Sequence, residues 1–573
     1  MYLENYKKWT QSPYVDEQTK AELNALTDDE DIKFRFVKML DFGTAGLRGT
    51  MGAGLNMMNV YTVRYTTQGL ADLIAGSGDD AKKRGVAIAY DSRNNSELFS
   101  KEVACVLAAN GIKAYLFDEL RPTPELSFAL RENGCIAGVN VTASHNPKEY
   151  NGYKVYWEDG AQLPPDHAKK ISDRLSQIDI FEDVKTMDFE EAKNAGLIEM
   201  MGQEMDEKYL AKVLEQSVCS DIVKELSDTF KIIYTPFHGA GYRLVPEMLK
   251  RLGFKHIITV AEQMTIDGNF PTVKSPNPED KAGFTRAIEM AREQNIDLII
   301  GTDPDADRVG IVVRNNDGDY VTLTGNQVGV LLLDFIIRCR KEMGTFPSNA
   351  AAVKSIVSTN MAKAVCDKYG VKMFDVLTGF KFIGEKIKEF EASGEYTYIF
   401  GFEESYGYLT GTYARDKDAV NGSLLIAEMA CWYKKQGKSL YDAMQEMYDT
   451  YGNYLESVIS ITMSGLDGLA RMKETGVKLR ANAPTEIAGM KVLKIRDYQS
   501  GYITDTQTGE KTETGLPSSD VLFYELENDC SLVFRPSGTE PKIKFYITAK
   551  ADSAKACEEI TETIKSAAQK LID

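Results

Sequence analysis

Apolar residues in this chain come in short runs that break into polar or small residues, and the breaks recur in one order. GVAIAYDSRNN from position 85, FKIIYTPFHGAG from 230 and AAAVKSIVSTN from 350 each read as a buried strand running into a loop. A helix-like stretch follows each. A glycine succeeded by an apolar residue and a lysine comes next, in NGIKAYLFDE at 110–119, LGFKHIITVAE at 252–262 and YGVKMFDVLTG at 369–379. Glycine at such a point ends a helix in the left-handed conformation, and the apolar run after it opens a second strand. The pattern is a βαβ unit occurring three times, at spacings of 142 and 117 residues. It predicts three similar α/β domains.

The repeat also places three unusual loops. Counted from the repeat glycines, Ser144 of TASHNP lies 33 residues after Gly111, Glu403 of GFEES 33 after Gly370, and Asp303 of GTDPDADR 50 after Gly253. Ligands of open α/β sheets collect at the carboxyl ends of strands, so these loops are expected to converge on one cleft. The C-terminal part differs. CSLVFRPSGTEPKIKFYITAK at 530–550 reads as strand, turn, strand, and ADSAKACEEITETIKSAAQKLI as a closing amphipathic helix, together a smaller α+β domain.

Composition narrows the class of partner. The chain has 573 residues, 43% of them hydrophobic, enough for several cores and for three to five domains. A net charge of −18 and a pI near 5.0 leave no basic surplus to neutralise a phosphate backbone, which argues against nucleic-acid or anionic-membrane partners. The eight cysteines are scattered, without a CxxC pair, and read as reduced core residues, as suits a cytoplasmic protein. MYLENYKKWTQSPY at the start has no apolar targeting core, and the greasiest run, VGVLLLDFII at 328–337, is too short to span a bilayer and contains Asp334.

An anionic ligand must then be held by local clusters, and the sequence offers two. In DLIIGTDPDADRVGIVV three carboxylates, Asp303, Asp305 and Asp307, stand at alternate positions between apolar strands. They would repel one another without a hard divalent cation, and Mg²⁺ is the ion that takes few carboxylates and completes its shell with water or phosphate. An EF-hand is excluded, because its sixth and twelfth positions would be Arg308 and Arg314. Arg308 beside the acidic loop suits a phosphate ligand. RPSGTEPKIK at 535–544 gathers Arg535, Ser537, Gly538, Thr539, Lys542 and Lys544 in a tight turn, the composition of an anion-binding nest. QGKS at 436–439 lacks the earlier glycine of a nucleotide loop, since Trp432 holds that place, so the phosphate is assigned to a small substrate. Ser144 has no GxSxG elbow around it, and the chain has only four histidines, His145, His167, His238 and His256, which disfavours a serine hydrolase. With a metal loop and a phosphate loop in the same chain, a serine that carries a phosphoryl group fits better.

TASHNP, DPDADR, FEES and RPSGTEP, in that order, resemble the α-D-phosphohexomutase superfamily, in particular its phosphoglucomutases, over essentially the whole chain. The resemblance implies four domains around a central cleft: 1–215 with the phosphoserine loop, 216–323 with the metal loop, 324–455 with a sugar-binding loop, and an α+β domain at 456–573 with a phosphate-binding loop. It implies Ser144 as the phosphorylated serine and a metal ligand, and Asp303, Asp305 and Asp307 as the Mg²⁺ ligands. Glu403 and Ser405, with Thr378, Gly379 and Arg308, are implied to meet the sugar phosphate; Arg535, Ser537, Gly538 and Thr539 clamp the phosphate that is not reacting. GTAGLRG at 43–49 resembles the loop that brings Arg48 to the phosphoserine, and ARDKDAV at 414–420 the segment that supplies a general base, which nominates Lys417 over Lys154 and His145. The implied reaction interconverts glucose 1-phosphate and glucose 6-phosphate through glucose 1,6-bisphosphate. GFEESYG departs from the GEMSGH pattern of members that accept mannose equally, which favours glucose over mannose; a phosphomannomutase or phosphopentomutase of the same family, or a bisphosphate synthase, is the alternative within it. An aspartyl-nucleophile phosphatase is the alternative of another class, although Asp307 breaks its DxDxT pattern, and a non-enzymatic sugar-phosphate sensor is a third reading.

Overall fold

A computed structural model describes residues 1–463, 468–537 and 542–572. The chain packs as two compact units: residues 1–323 with 384–393 and 406–439, and residues 324–383 with 394–405 and 440–573.

In the first unit the repeat appears as two sheets. Val86–Tyr90 pairs in parallel with Ala114–Phe117 on one side and Ala137–Val141 on the other, with the helix Ser96–Ala109 connecting the first two strands. Lys231–Thr235 likewise stands between His256–Thr259 and Leu298–Thr302, all parallel, with the helix Gly241–Leu252 as the connection. Val86–Tyr90, Ala137–Val141 and Leu298–Thr302 are buried at every residue, which is why Val86–Tyr90 and Leu298–Thr302 read as apolar runs rather than as alternations, while Ala137–Val141 buries one polar residue, Asn140. Each sheet then turns back: Tyr150–Trp157 lies antiparallel beside Ala137–Val141, and Val309–Arg314 antiparallel beside Leu298–Thr302. Residues 142–149 and 303–308 are the loops between those antiparallel partners. Gly46–Thr50 extends the first sheet beyond Tyr150–Trp157.

The third repeat lies in the second unit. Ala350–Ser355 is parallel to both Lys372–Val376 and Thr397–Glu403, with the helix Met361–Tyr369 between. In all three sheets the strand that ends at a candidate loop lies on the far side of the first strand from the second. This is the point where strand order reverses and where α/β sheets hold ligands. The repeat glycines Gly111, Gly253 and Gly370 all have positive φ, as the helix-end assignment requires.

The C-terminal region is an antiparallel sheet built on Asn453–Thr462, Lys542–Ala551, Ser531–Pro536, Leu522–Leu526 and Met490–Asp497, covered by the helix Ala554–Lys570. An apolar cluster of Ile356, Leu377, Tyr498, Phe523, Val533 and Tyr546 packs this sheet against the carboxyl-end loops of the third α/β sheet. All eight cysteines are free and buried, as the sequence implied. Among the described residues no helix is long and apolar enough to cross a membrane.

Candidate functional site

Ser144 follows the strand Ala137–Val141 and adopts φ 53°, a left-handed conformation uncommon for a residue with a Cβ. Its surroundings impose that conformation. The Thr142 hydroxyl accepts from Ser144 N–H at 2.8 Å and donates to Asp91 at 2.6 Å. The Arg93 guanidinium donates to the Ser144 carbonyl at 2.6 Å and to the carbonyls of Pro147 and Tyr150 at 2.9 and 3.1 Å. Arg93 is itself seated by Asp91, 3.3 Å away, and by the ring of Phe270, 5.2 Å from its centre. Gly152 lets the loop close on the neighbouring strand, since a Cβ there would stand 2.5 Å from the Thr142 carbonyl oxygen.

The loop aims Ser144 Oγ at the acidic triad. The hydroxyl donates to Asp303 Oδ2 at 2.9 Å and lies 3.2 Å from His145 Nδ1. Asp303 Oδ1 accepts from the N–H groups of Asp307 and Arg308, which close the turn. Gly239, in the TPFHGAG stretch, makes room for that turn: a Cβ would meet Pro304 Cα at 2.4 Å. The triad is fully buried, and an oxygen from each carboxylate lies within 4.8 Å of the others.

Two ammonium groups face the triad, that of Lys417 on a buried residue and that of Lys154 on a half-buried one. Lys154 Nζ lies 2.7 Å from Asp305 Oδ2 and 3.4 Å from Asp307 Oδ2; Lys417 Nζ lies 2.8 Å from Asp307 Oδ2 and 3.3 Å from Asp416. Burial, with the charges of Asp305 and Asp307, raises the Asp303 carboxyl well above the usual range. Burial acts on Asp305 in the same sense, but the Lys154 ammonium and its hydrogen bond outweigh it and hold that carboxyl below its ordinary value. Burial and the Arg308 and Arg48 cations push His145 down to about 2, so its imidazole is neutral at physiological pH.

A metal fits this donor set. The Oδ1 atoms of Asp305 and Asp307 are buried and make no hydrogen bond, although each carboxylate's other oxygen is held by a cation. Among the described residues Asp305 Oδ1 has no cation within ion-pair distance and Asp307 Oδ1 has only Arg308 Nε at 3.8 Å, and hard oxygen donors at this spacing are what a small divalent cation requires. Arg308 lies 3.2 Å from Glu279, and Arg48 donates to Asn146 at 3.2 Å, beside the serine loop.

The remaining sequence candidates are in the second unit. Glu403 Oε1 accepts from Gly379 N–H at 2.7 Å, joining the sugar loop to the Thr378–Gly379 turn, and Ser405 is partly buried two residues on. Glu404 is held by the hydroxyls of Ser355 and Ser358 at 2.8 and 3.3 Å. Arg535 donates to the Tyr546 hydroxyl at 3.2 Å, and Ser537 N–H to the Lys542 carbonyl at 2.8 Å. Burial raises the Tyr546 phenol; the carboxylates of Glu404 and Glu403 reinforce this and Arg535 opposes it. Gly538 and Thr539 lie outside the described residues.

Sequence reasoning missed Asp91, Arg93, Thr123, Glu279 and Tyr546. The polar break in AYDSRNN was a signal for the first two; none of the others carries a local signature.

Three models of the phosphoglucomutase/phosphomannomutase α/β/α domains match the chain: domain I at residues 39–180, domain II at 207–318 and domain III at 324–451. A Staphylococcus epidermidis phosphoglucomutase is 38% identical over 516 residues, 90% of this chain and 91% of that protein. The Staphylococcus saprophyticus phosphoglucomutase is 36% identical over 566 residues, 99% of this chain and 98% of that protein. Among solved structures, a putative phosphomannomutase from Thermus thermophilus superposes with a TM-score of 0.66 at 22% identity, covering 93% of this chain and 99% of that one.

Proposed function

The chain belongs to the phosphoglucomutase/phosphomannomutase family, and on that premise we propose that it interconverts glucose 1-phosphate and glucose 6-phosphate through a phosphorylated Ser144. The observation that carries this reading is the hydrogen bond from the Ser144 hydroxyl to Asp303 within a triad that retains two unbonded carboxylate oxygens. A nucleophilic oxygen beside a divalent-cation site is the arrangement phosphoryl transfer needs.

In the first half-reaction the free hydroxyl of the hexose monophosphate attacks the phosphorus on Ser144. The bond to Ser144 Oγ breaks as the bond to the sugar oxygen forms, and the hydroxyl proton passes to a base. The product is glucose 1,6-bisphosphate, which also serves as activator. In the second half-reaction Ser144 Oγ attacks the other phosphate, its bond to the sugar oxygen breaks, and that oxygen takes back the proton held by the base as the sugar monophosphate leaves. Mg²⁺ on Asp303, Asp305, Asp307 and the serine oxygen supplies, when bound, charge neutralisation at the transferring group. Arg48 and Arg308 add fixed positive charge there. Lys417 is the preferred base because ARDKDAV resembles the family segment that supplies one; Lys417 and Lys154 each face two carboxylates, and a histidine depressed to about 2 binds a proton poorly. In the second unit, Glu403 and Ser405, with Thr378 and Gly379, read the sugar hydroxyls. Arg535, Ser537, Gly538 and Thr539 hold the phosphate that is not being transferred, which aligns the attack.

Two measurements test the reading together. Intact-protein and peptide mass spectrometry after incubation with glucose 1,6-bisphosphate is expected to place one phosphate on Ser144, and Ser144→Ala to abolish mutase turnover. Phosphate on Asp303 instead, or near wild-type turnover in Ser144→Ala, sinks it.

A further inference from the structure

Thr123 opens the helix Thr123–Glu132, far in sequence from every loop discussed above. It nevertheless holds Asp305 at two points. Thr123 N–H donates to the Asp305 carbonyl at 2.8 Å, and the Thr123 hydroxyl donates to Asp305 Oδ2 at 2.8 Å. The hydroxyl in turn accepts from Asn140 Nδ2 at 2.6 Å. A hydroxyl has one hydrogen, and an amide nitrogen can only donate, so with the amide nitrogen facing Thr123 the direction of this chain is fixed: Asn140 to Thr123 to Asp305.

Both ends of the chain begin on one sheet. Asn140 is the cross-strand partner of Lys154 in the antiparallel pair of Ala137–Val141 and Tyr150–Trp157, so the two side chains leave the same face. Lys154 reaches Asp305 Oδ2 directly, and Asn140 reaches it through Thr123. Asp305 Oδ2 therefore has two donors while Oδ1, buried and unbonded, is the oxygen left to a cation. Asn140 and Thr123 are themselves fully buried. Without the Thr123 hydrogen bond the carboxylate could turn about its Cβ–Cγ axis and present either oxygen, with only one ammonium to oppose it.

We propose that Thr123, oriented by Asn140, is a positioning residue for the divalent cation: it selects which Asp305 oxygen faces the metal and couples the metal loop to the strand that carries Ser144. The proposal rests on the triad being the metal site, and hydrogen bonds of this outer kind commonly govern metal affinity by about 10–100-fold.

The test is Mn²⁺ binding to the purified, dephosphorylated full-length enzyme, followed by electron paramagnetic resonance, with Asp305→Asn as the control. If the wild type binds no Mn²⁺, or Asp305→Asn binds it as well as the wild type, the triad is not the site and the proposal falls with it. If wild type and control differ as expected, Thr123→Val, which keeps the shape and loses the hydroxyl, is expected to weaken Mn²⁺ by about 10–100-fold, and Thr123→Ser to stay within about threefold of wild type. Thr123→Val should also need more Mg²⁺ for half-maximal turnover while leaving KM for glucose 1-phosphate unchanged. Asn140→Asp keeps the volume but replaces the donor by an acceptor that competes for the Thr123 hydrogen, so it should weaken Mn²⁺ in the same way; it carries the test should Thr123→Val fail to fold. Wild-type Mn²⁺ affinity in folded Thr123→Val or Asn140→Asp, or an equal loss in Thr123→Ser, overturns the proposal.

Discussion

Ser144 shows what can and cannot be read at the scale of single residues. Three further motifs in the same chain point to its role, and its own neighbours do not, because a Ser-His pair at a strand end is chemically ambiguous. The structure adds the left-handed backbone and the Thr142, Asp91 and Arg93 contacts that hold it. Beyond the polar break in AYDSRNN, the distant supports left no local signature, because each acts through a long-range contact made by an ordinary residue: Arg93 lies 51 positions from the carbonyl it holds, and Thr123 lies 182 from Asp305. The proposed base rests on the ARDKDAV segment that carries Lys417 and on the depressed pKa of His145. Lys417 should carry the proton and His145 should shape the loop, so Lys417→Ala is expected to lower the single-turnover rate of phosphoryl transfer by about 10²–10⁴-fold, and His145→Asn by less than about tenfold. Rapid-quench measurement of phosphate loss from Ser144 decides it; the reverse ranking would make His145 the base despite its depressed pKa.

Among elements, the legible features were those with a local physical cause. Glycines that must take positive φ marked three helix ends, and fully buried parallel strands left uninterrupted apolar runs. Local pattern showed an apolar strand after the metal loop but not that it folds back antiparallel, and it revealed neither the strand after the serine loop nor which helix packs on which. The helix Ala419–Lys435 illustrates the second point. Its Glu428 is buried at the turn before the helix Ser220–Leu226, where it accepts from Val218 N–H at 2.9 Å, from Cys219 N–H at 3.3 Å and from the Ser217 hydroxyl. Burial pushes this carboxyl up to about 7, against the pull of those three donors. A carboxyl raised in the native state keeps its proton where the unfolded chain has lost it. Its stabilising contribution is full below the unfolded value near 4.5 and is lost as pH rises through about 7. Relative to wild type, Glu428→Gln should therefore gain stability between pH 4.5 and 8, by roughly 3 kcal/mol, since one pKa unit corresponds to about 1.36 kcal/mol. Urea midpoints of both proteins at pH 5 and pH 8 test this, and a gap that does not change with pH would show that Glu428 does not titrate in this window.

For the molecule as a whole, the reaction sets a constraint that no single loop reveals. Glucose 1,6-bisphosphate must present either phosphate to Ser144, so whatever holds the opposite end must accept a phosphate on C1 or on C6 without regard to the sugar between them. Arg535 has the chemistry to do so, because a guanidinium recognises phosphate by charge and fork geometry, and neither depends on hydroxyl configuration. Glu403 has a different role. Its carboxylate accepts from Gly379 N–H, and in the proposed role it also accepts hydrogen bonds from sugar hydroxyls, whose positions differ between glucose and mannose. A site built to bond a given hydroxyl rejects the sugar that lacks it there, because the buried polar group is then left unpaired. Arg535→Ala should therefore cost roughly 2–4 kcal/mol of transition-state stabilisation for every hexose phosphate alike, the range for losing one side of a charge-assisted contact. Glu403→Ala should reduce turnover of glucose 1-phosphate more than that of mannose 1-phosphate and so compress the ratio of their kcat/KM values. The two glutamates of GFEES do not share the work equally, since Glu404 is tied to Ser355 and Ser358, so Glu404→Ala should act on selectivity less than Glu403→Ala. The measurement is kcat/KM for both sugars in all three variants: a changed glucose-to-mannose ratio in Arg535→Ala, with an unchanged one in Glu403→Ala, would reverse the assignment of these loops.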